Sequence, residues 1–116
     1  MNEIVRTPKP PYYAVIFTSI RTANDKGYEQ VANDIVRIVS QQKGFLGAES
    51  VRDKDGFGMT ISYWASMDSI NSWKNNAPHQ KAKELGKEKW YSQYMIRVCL
   101  VNSDNFFAGN HNTKIK

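Results

Sequence analysis

The hydrophobic period of this chain switches twice from strand to helix and back, with one tight hairpin between the two switches. Residues 13–20, Tyr-Ala-Val-Ile-Phe-Thr-Ser-Ile, are rich in β-branched and aromatic types and read as a strand. The turn Asn24-Asp25-Lys26-Gly27 can cap a helix. From Tyr28 to Gln42 the residues Tyr28, Val31, Ala32, Ile35, Val36, Ile38 and Val39 fall in one arc at roughly 100° per residue, which predicts an amphipathic helix ended by Gly44. Residues 45–53 and 57–65 read as two strands joined through Lys54-Asp55-Gly56, because an Asp-Gly pair supplies the positive φ of a tight antiparallel hairpin. Ser66 is a good N-cap for a second helical region carrying Ile70, Trp73 and Ala77. Pro78 breaks that region, and a new turn near His79 carries Ala82, Leu85 and Gly86. Residues 91–101 form the last strand.

The order β, α, β, β, α, β predicts an α+β fold, a ferredoxin-like βαββαβ sandwich whose four-stranded antiparallel sheet has both helices on one face. Along the first strand both alternating sets are apolar, with Tyr13, Val15 and Phe17 opposite Ala14, Ile16 and Ile20. The last strand behaves alike, with Tyr94, Ile96, Val98 and Leu100 opposite Met95, Cys99 and Val101. Strands buried on both faces lose the apolar/polar alternation, so a second layer is expected over the bare side. The economical layer is the same sheet of a second copy, giving a homodimer through sheet-to-sheet packing. The alternative is that the tails fold over the bare sheet. The expected organisation is an extended, proline-rich arm over residues 1–11, a domain over 12–102 and a mobile polar tail over 103–116.

At 116 residues with 41% hydrophobic and 12% aromatic content, the chain can bury a core without a disulfide or metal staple. The single Cys99 cannot form an internal disulfide, and no window approaches the roughly 18 apolar residues of a membrane helix. The first eleven residues lack the apolar stretch of a signal peptide, so a cytoplasmic protein without a membrane partner is expected. The net charge of +5 is spread over helices, hairpin and tails, which argues for a solvated basic surface and against a nucleic-acid partner.

Motifs for dinucleotide, phosphate, hydrolytic and zinc chemistry are missing. The histidines, His79 and His111, are too far apart in sequence to suggest a metal site, and none is expected. What remains is an aromatic-rich, charge-poor constellation: Tyr63-Trp64 at a strand end, Trp73 and His79 on the broken helix, and Trp90-Tyr91 with Tyr94 at the last strand. A flat, oxidisable aromatic suits such surroundings. His79 shares a stripe with Ala82 and Leu85, and its place at the start of a helical turn favours the neutral imidazole of a general base. The competing reading is a histidine that caps or packs locally. Arg97 interrupts an apolar strand, so it either pairs with a carboxylate such as Glu49 or faces a ligand's oxygen atoms.

At Gly44-Phe45-Leu46-Gly47, Ile61-Ser62-Tyr63-Trp64, Ile70-x-x-Trp73, His79 and Trp90-Tyr91-x-x-Tyr94 the chain resembles the antibiotic biosynthesis monooxygenase family, over roughly residues 12–102. The resemblance implies a dimeric α+β barrel and a monooxygenase acting without metal or flavin, hence no cofactor, on a small aromatic or quinol-type molecule. In that reading His79 and Trp73 are catalytic, with Trp73 stacking on the substrate, and Phe17, Tyr63, Trp64 and Arg97 bind it. Other members degrade haem with an Asn on the first strand, a Trp on the second helical region and a His near that region's end. Here only Trp73 matches; Thr18 or Ser19 lies near the Asn position and Lys83 replaces the His, which disfavours haem degradation. The alternative function is a non-catalytic dimer that binds a hydrophobic metabolite or haem.

Overall fold

The computed structural model describes residues 3–109, and His111 lies outside the described residues. The elements run β1 (Tyr12–Arg21), α1 (Tyr28–Val39), β2 (Phe45–Arg52), β3 (Phe57–Trp64), α2 (Met67–Lys74), α3 (Ala77–Leu85), one π-helical turn (Gly86–Trp90) and β4 (Tyr91–Val101). The sheet is antiparallel with order β2-β3-β1-β4, which is the ferredoxin-like α+β arrangement expected from the order of elements. No helix among the described residues is long and apolar enough to cross a membrane.

Local chemistry accounts for the boundaries. In the hairpin, Gly56 takes φ 96°, and the Asp53 carboxylate accepts the backbone N–H groups of Asp55 and Phe57 at 2.9 and 3.0 Å. Ser66 caps α2 by accepting from the Ser69 N–H at 3.1 Å. The break in the second helical region falls at Asn75–Asn76 rather than at Pro78. Asn76 caps α3 through its side-chain oxygen, which accepts the His79 N–H at 3.0 Å, and Pro78 then sits in the first turn, where no donor is needed. Gly44, at φ 87°, lies where a Cβ would fall 2.0 Å from Ser69 Oγ, so only glycine lets this turn close against α2.

The core sits where Trp64, Ile70 and Trp73 meet, with Tyr13, Val15, Ile35, Ile38, Val39 and Phe45 packed around them. This fixes the helix-facing side of the sheet, and the strand registers carry it along. Beyond Tyr13 and Trp64 come the rows Ala48–Ser62–Val15–Val98 and Ser50–Thr60–Phe17–Ile96. On β3 the alternation is inverted relative to an ordinary half-buried strand. Gly58, Thr60 and Ser62 face the helices, while Phe57, Met59, Ile61 and Tyr63 face away.

β4 departs from expectation. Its helix-side residues Ile96, Val98 and Leu100 are exposed, and so is Met95 on the other side. β4 is an edge strand and the helices pack toward β1 and β3, so double-sided apolarity here does not produce double-sided burial within one chain. β1, flanked by two strands, is covered far better on both sides.

The described part of the tail, exposed along its length, meets the arm and the first strand. Asp104 accepts from the hydroxyls of Tyr12 and Thr7, Arg6 lies 3.8 Å over the Phe106 ring, and the Val5 N–H donates to Glu49 at 2.9 Å. Arm and tail thus meet at one end of the open sheet side. Val51, Phe57 and Met95 remain exposed there, Val51 at 71%.

Candidate active site

The local fold of the α2–α3 break sets the geometry of its histidine. Asn76 fixes the first turn of α3, and the imidazole of His79 folds back to stack on Trp73, with ring centroids 4.4 Å apart and planes 15° from parallel. Its Nδ1 lies 3.0 Å from the Trp73 carbonyl oxygen. A carbonyl only accepts, so Nδ1 carries the proton and Nε2 holds the lone pair. Burial is the main cause that lowers the His79 pKa below the usual imidazole value; the hydrogen bond to Trp73 opposes it and the Lys83 charge adds to it. The ring is therefore neutral at pH 7, with Nε2 making no hydrogen bond among the described residues.

Trp73 is 9% exposed, with His79 on its ring and Trp64 adjoining at 6.4 Å. It is packed as core, and it holds the histidine rather than presenting an open face. Below α3, an apolar hollow of about 230 Å³ opens against α1, walled by Val31, Ile35, Ile38, Pro78, Ala82 and Leu85, with Asp34, Arg37 and Lys81 also lining it. His79 lies on the same helix between Pro78 and Ala82. At the far end of the helix-facing side, Phe17 packs at 5.3 Å against both Tyr91 and Tyr94, and Tyr91 meets Tyr28 of α1. Burial first, then the Tyr28 hydroxyl, raise the Tyr91 pKa and keep the phenol protonated.

The structure therefore brings Trp64, Trp73, His79 and Phe17 to one side of the sheet and does not bring Tyr63 and Arg97 there. Tyr63 faces the open side, where its hydroxyl donates to Glu49 at 2.7 Å; burial, then that carboxylate, push its pKa up to about 12. Arg97 is exposed on the same open side. The expected Arg97–Glu49 pair does not form. The two share the row Glu49–Ile61–Ile16–Arg97 but sit on opposite edge strands, three inter-strand steps or roughly 14 Å apart.

Sequence reasoning passed over the hydroxyls beneath the helices. Ser62 accepts the Trp64 indole N–H at 2.9 Å, and Ser50 and Thr60 share a hydrogen bond of 2.8 Å. Their signal was the position of Thr60 and Ser62 in the same alternating set as the inward Trp64. Asn76 was missed as well, although an Asn two residues before a proline is a recognisable helix start.

The same architecture occurs in known proteins. SnoaB of Streptomyces nogalater, a cofactor-independent oxygenase solved as a point mutant, superposes with a TM-score of 0.61 at 13% identity, covering 89% of this chain and 96% of that one. Protein SO0527 of Shewanella oneidensis superposes with a TM-score of 0.71 at 3% identity, covering 87% and 100%. In sequence, the uncharacterized protein YqjZ of Bacillus subtilis is 49% identical over 112 residues, 97% of this chain and 98% of that protein. The family model for antibiotic biosynthesis monooxygenase matches residues 11–85. The chain belongs to the antibiotic biosynthesis monooxygenase family.

Proposed function

We propose that this protein is a cytoplasmic, cofactor-independent monooxygenase for a small aromatic or quinol-type substrate, working as a sheet-to-sheet homodimer. The observation that carries the reading is the fixed, neutral His79, with Nδ1 tied to the Trp73 carbonyl and Nε2 left as the acceptor. A base with a pKa near or below neutrality is what removal of an acidic C–H or O–H proton requires. Trp73 is the positioning residue: its ring supports the imidazole and its carbonyl selects the tautomer. Phe17 and Trp64 lie on the same side of the sheet as the histidine, Trp64 buried in the core beneath Trp73 and Phe17 farther off beside Tyr91 and Tyr94.

For a ring methylene the chemistry balances as CH₂ plus O₂ giving C=O plus water. His79 takes a proton, and the carbanion passes one electron to O₂. The superoxide and carbon radical join in a C–O bond, and the peroxide is protonated by His79. Loss of water then leaves the carbonyl. Oxygen uptake with a panel of quinols and anthrones tests this. His79→Gln should slow turnover about 10²- to 10⁴-fold while leaving the circular dichroism spectrum unchanged. Substrates that quench tryptophan fluorescence without oxygen uptake in the parent protein would falsify the enzyme reading in favour of a binding protein.

The dimer rests on the inverted β3, whose Phe57, Met59, Ile61 and Tyr63 face away from the helices, and on the exposed Val51 and Met95 beside them. Tyr63 and Arg97 belong to that shared side. Sedimentation should give twice the chain mass, and Met95→Lys should shift the equilibrium at least tenfold toward monomer. A monomeric parent would overturn the assignment.

A further inference from the structure

We propose a second ligand site, for a carboxylate, in the hollow at the hairpin end of the sheet. The hollow holds about 360 Å³ between the β1–α1 loop and the β2–β3 turn, within the range of small-molecule sites. Two guanidiniums, Arg21 and Arg52, line it.

Arg52 is held in place from several directions. It donates to Ser19 Oγ at 2.8 Å and to the carbonyls of Gly56 and Ser19, and Ser19 itself is only 1% exposed. Gly58 leaves room for it, since a Cβ there would lie 2.7 Å from Arg52 Cζ. Yet Arg52, half-buried, has no carboxylate within ion-pair distance among the described residues. Arg21 stacks 3.8 Å over the Tyr28 ring and pairs with Asp25 at 3.3 Å, while its Nε is buried without an acceptor among the described residues. A half-buried cation without a counter-charge costs stability, and an incoming anion supplies that charge.

The remaining carboxylates restrict that anion's charge. Asp25 pairs with Arg21, Asp53 is bound to the hairpin N–H groups, and Asp55 lies 3.9 Å from Lys54. One guanidinium without an ion pair among three acids fits a single negative charge, and the planar fork of arginine fits a carboxylate. The three acids repel any anion, a dianionic phosphate about twice as strongly as a carboxylate.

The test is titration of ¹⁵N-labelled full chain with sodium benzoate, against sodium chloride at equal ionic strength and against inorganic phosphate. Saturable shifts at the amides of Arg21, Ala23 and Gly56 are expected with benzoate, and Arg52→Lys should weaken the affinity about fivefold or more. If Arg52→Lys loses its folded spectrum, Asp55→Asn, which removes one exposed acid from the lining, should instead tighten benzoate binding about twofold or more. Shifts reproduced by chloride, tighter binding of phosphate, or an affinity unchanged in the folded variant would each overturn the assignment.

Discussion

The hollow under α3 and the hollow at the hairpin are built by opposite means. The one under α3 is a seam between helices, with aliphatic walls and Asp34, Arg37 and Lys81 also lining it; the one at the hairpin is a loop junction whose Arg52 is fixed by backbone and hydroxyl groups. Side chains of two helices enclose the first, with Ile35 and Ile38 of α1 on one wall and Ala82 and Leu85 of α3 on the other. Hydrogen bonding forms the second, because Ser19 and Gly56 hold Arg52 where packing would not. The two ends of one small sheet thus differ in chemistry, aliphatic side chains at one and a hydrogen-bonded guanidinium at the other.

Substitutions can break that contrast from either side. Trp64→Ala should have the largest effect, about 3–5 kcal/mol in urea unfolding, because Trp64 is 1% exposed and supports Trp73 and Phe45. A loss below about 1 kcal/mol would mean that the apolar end is not packed as described. Gly58→Ala should cost about 1–3 kcal/mol by pushing the Arg52 guanidinium off its partners, leaving the apolar end intact. Unchanged stability together with unchanged benzoate titration would show that Arg52 does not depend on that glycine. Asn76→Ala should cost about 1 kcal/mol through loss of the α3 cap. The His79 amide resonance should respond, and the hairpin amides should not.

The smallest effect is a pH dependence of stability. The His79 pKa lies below its unfolded value, so near and below pH 6.5 the unfolded chain binds more protons than the native one. The stability this site contributes is complete above the unfolded pKa, declines as pH falls toward the folded pKa, and changes no further below it. His79→Gln should flatten that part of the pH–stability curve; an identical slope in the variant would assign the titration elsewhere.

Much of this was legible in the residues, for reasons that differ by element. The Asp55-Gly56 turn and the Ser66 cap are local signals, and both stand where they pointed; α1 starts at Tyr28 as its stripe indicates but ends at Val39, short of Gln42, with Val36 of that stripe 64% exposed. The apolar run of β4 was legible as a strand but not as an exposed one, since exposure depends on how far the helices reach across the sheet. Trp73 and His79 were recognised as inward residues, whereas their stacking depends on the Asn76 cap, which turns α3 back over α2. The separation of Tyr63 and Arg97 from the histidine follows from strand register, where a shift of one residue exchanges the faces.

By itself the sequence determined the order of elements, the antiparallel fold and the aromatic character of the helix-facing side, because periodicity, caps and turn residues act within a few residues of one another. Only the tertiary structure decided which aromatics share a side, that Glu49 serves Tyr63 rather than Arg97, and that Arg52 stands without a counter-charge among the described residues. Those outcomes depend on register and on contacts between residues distant in the chain, and no local preference encodes them.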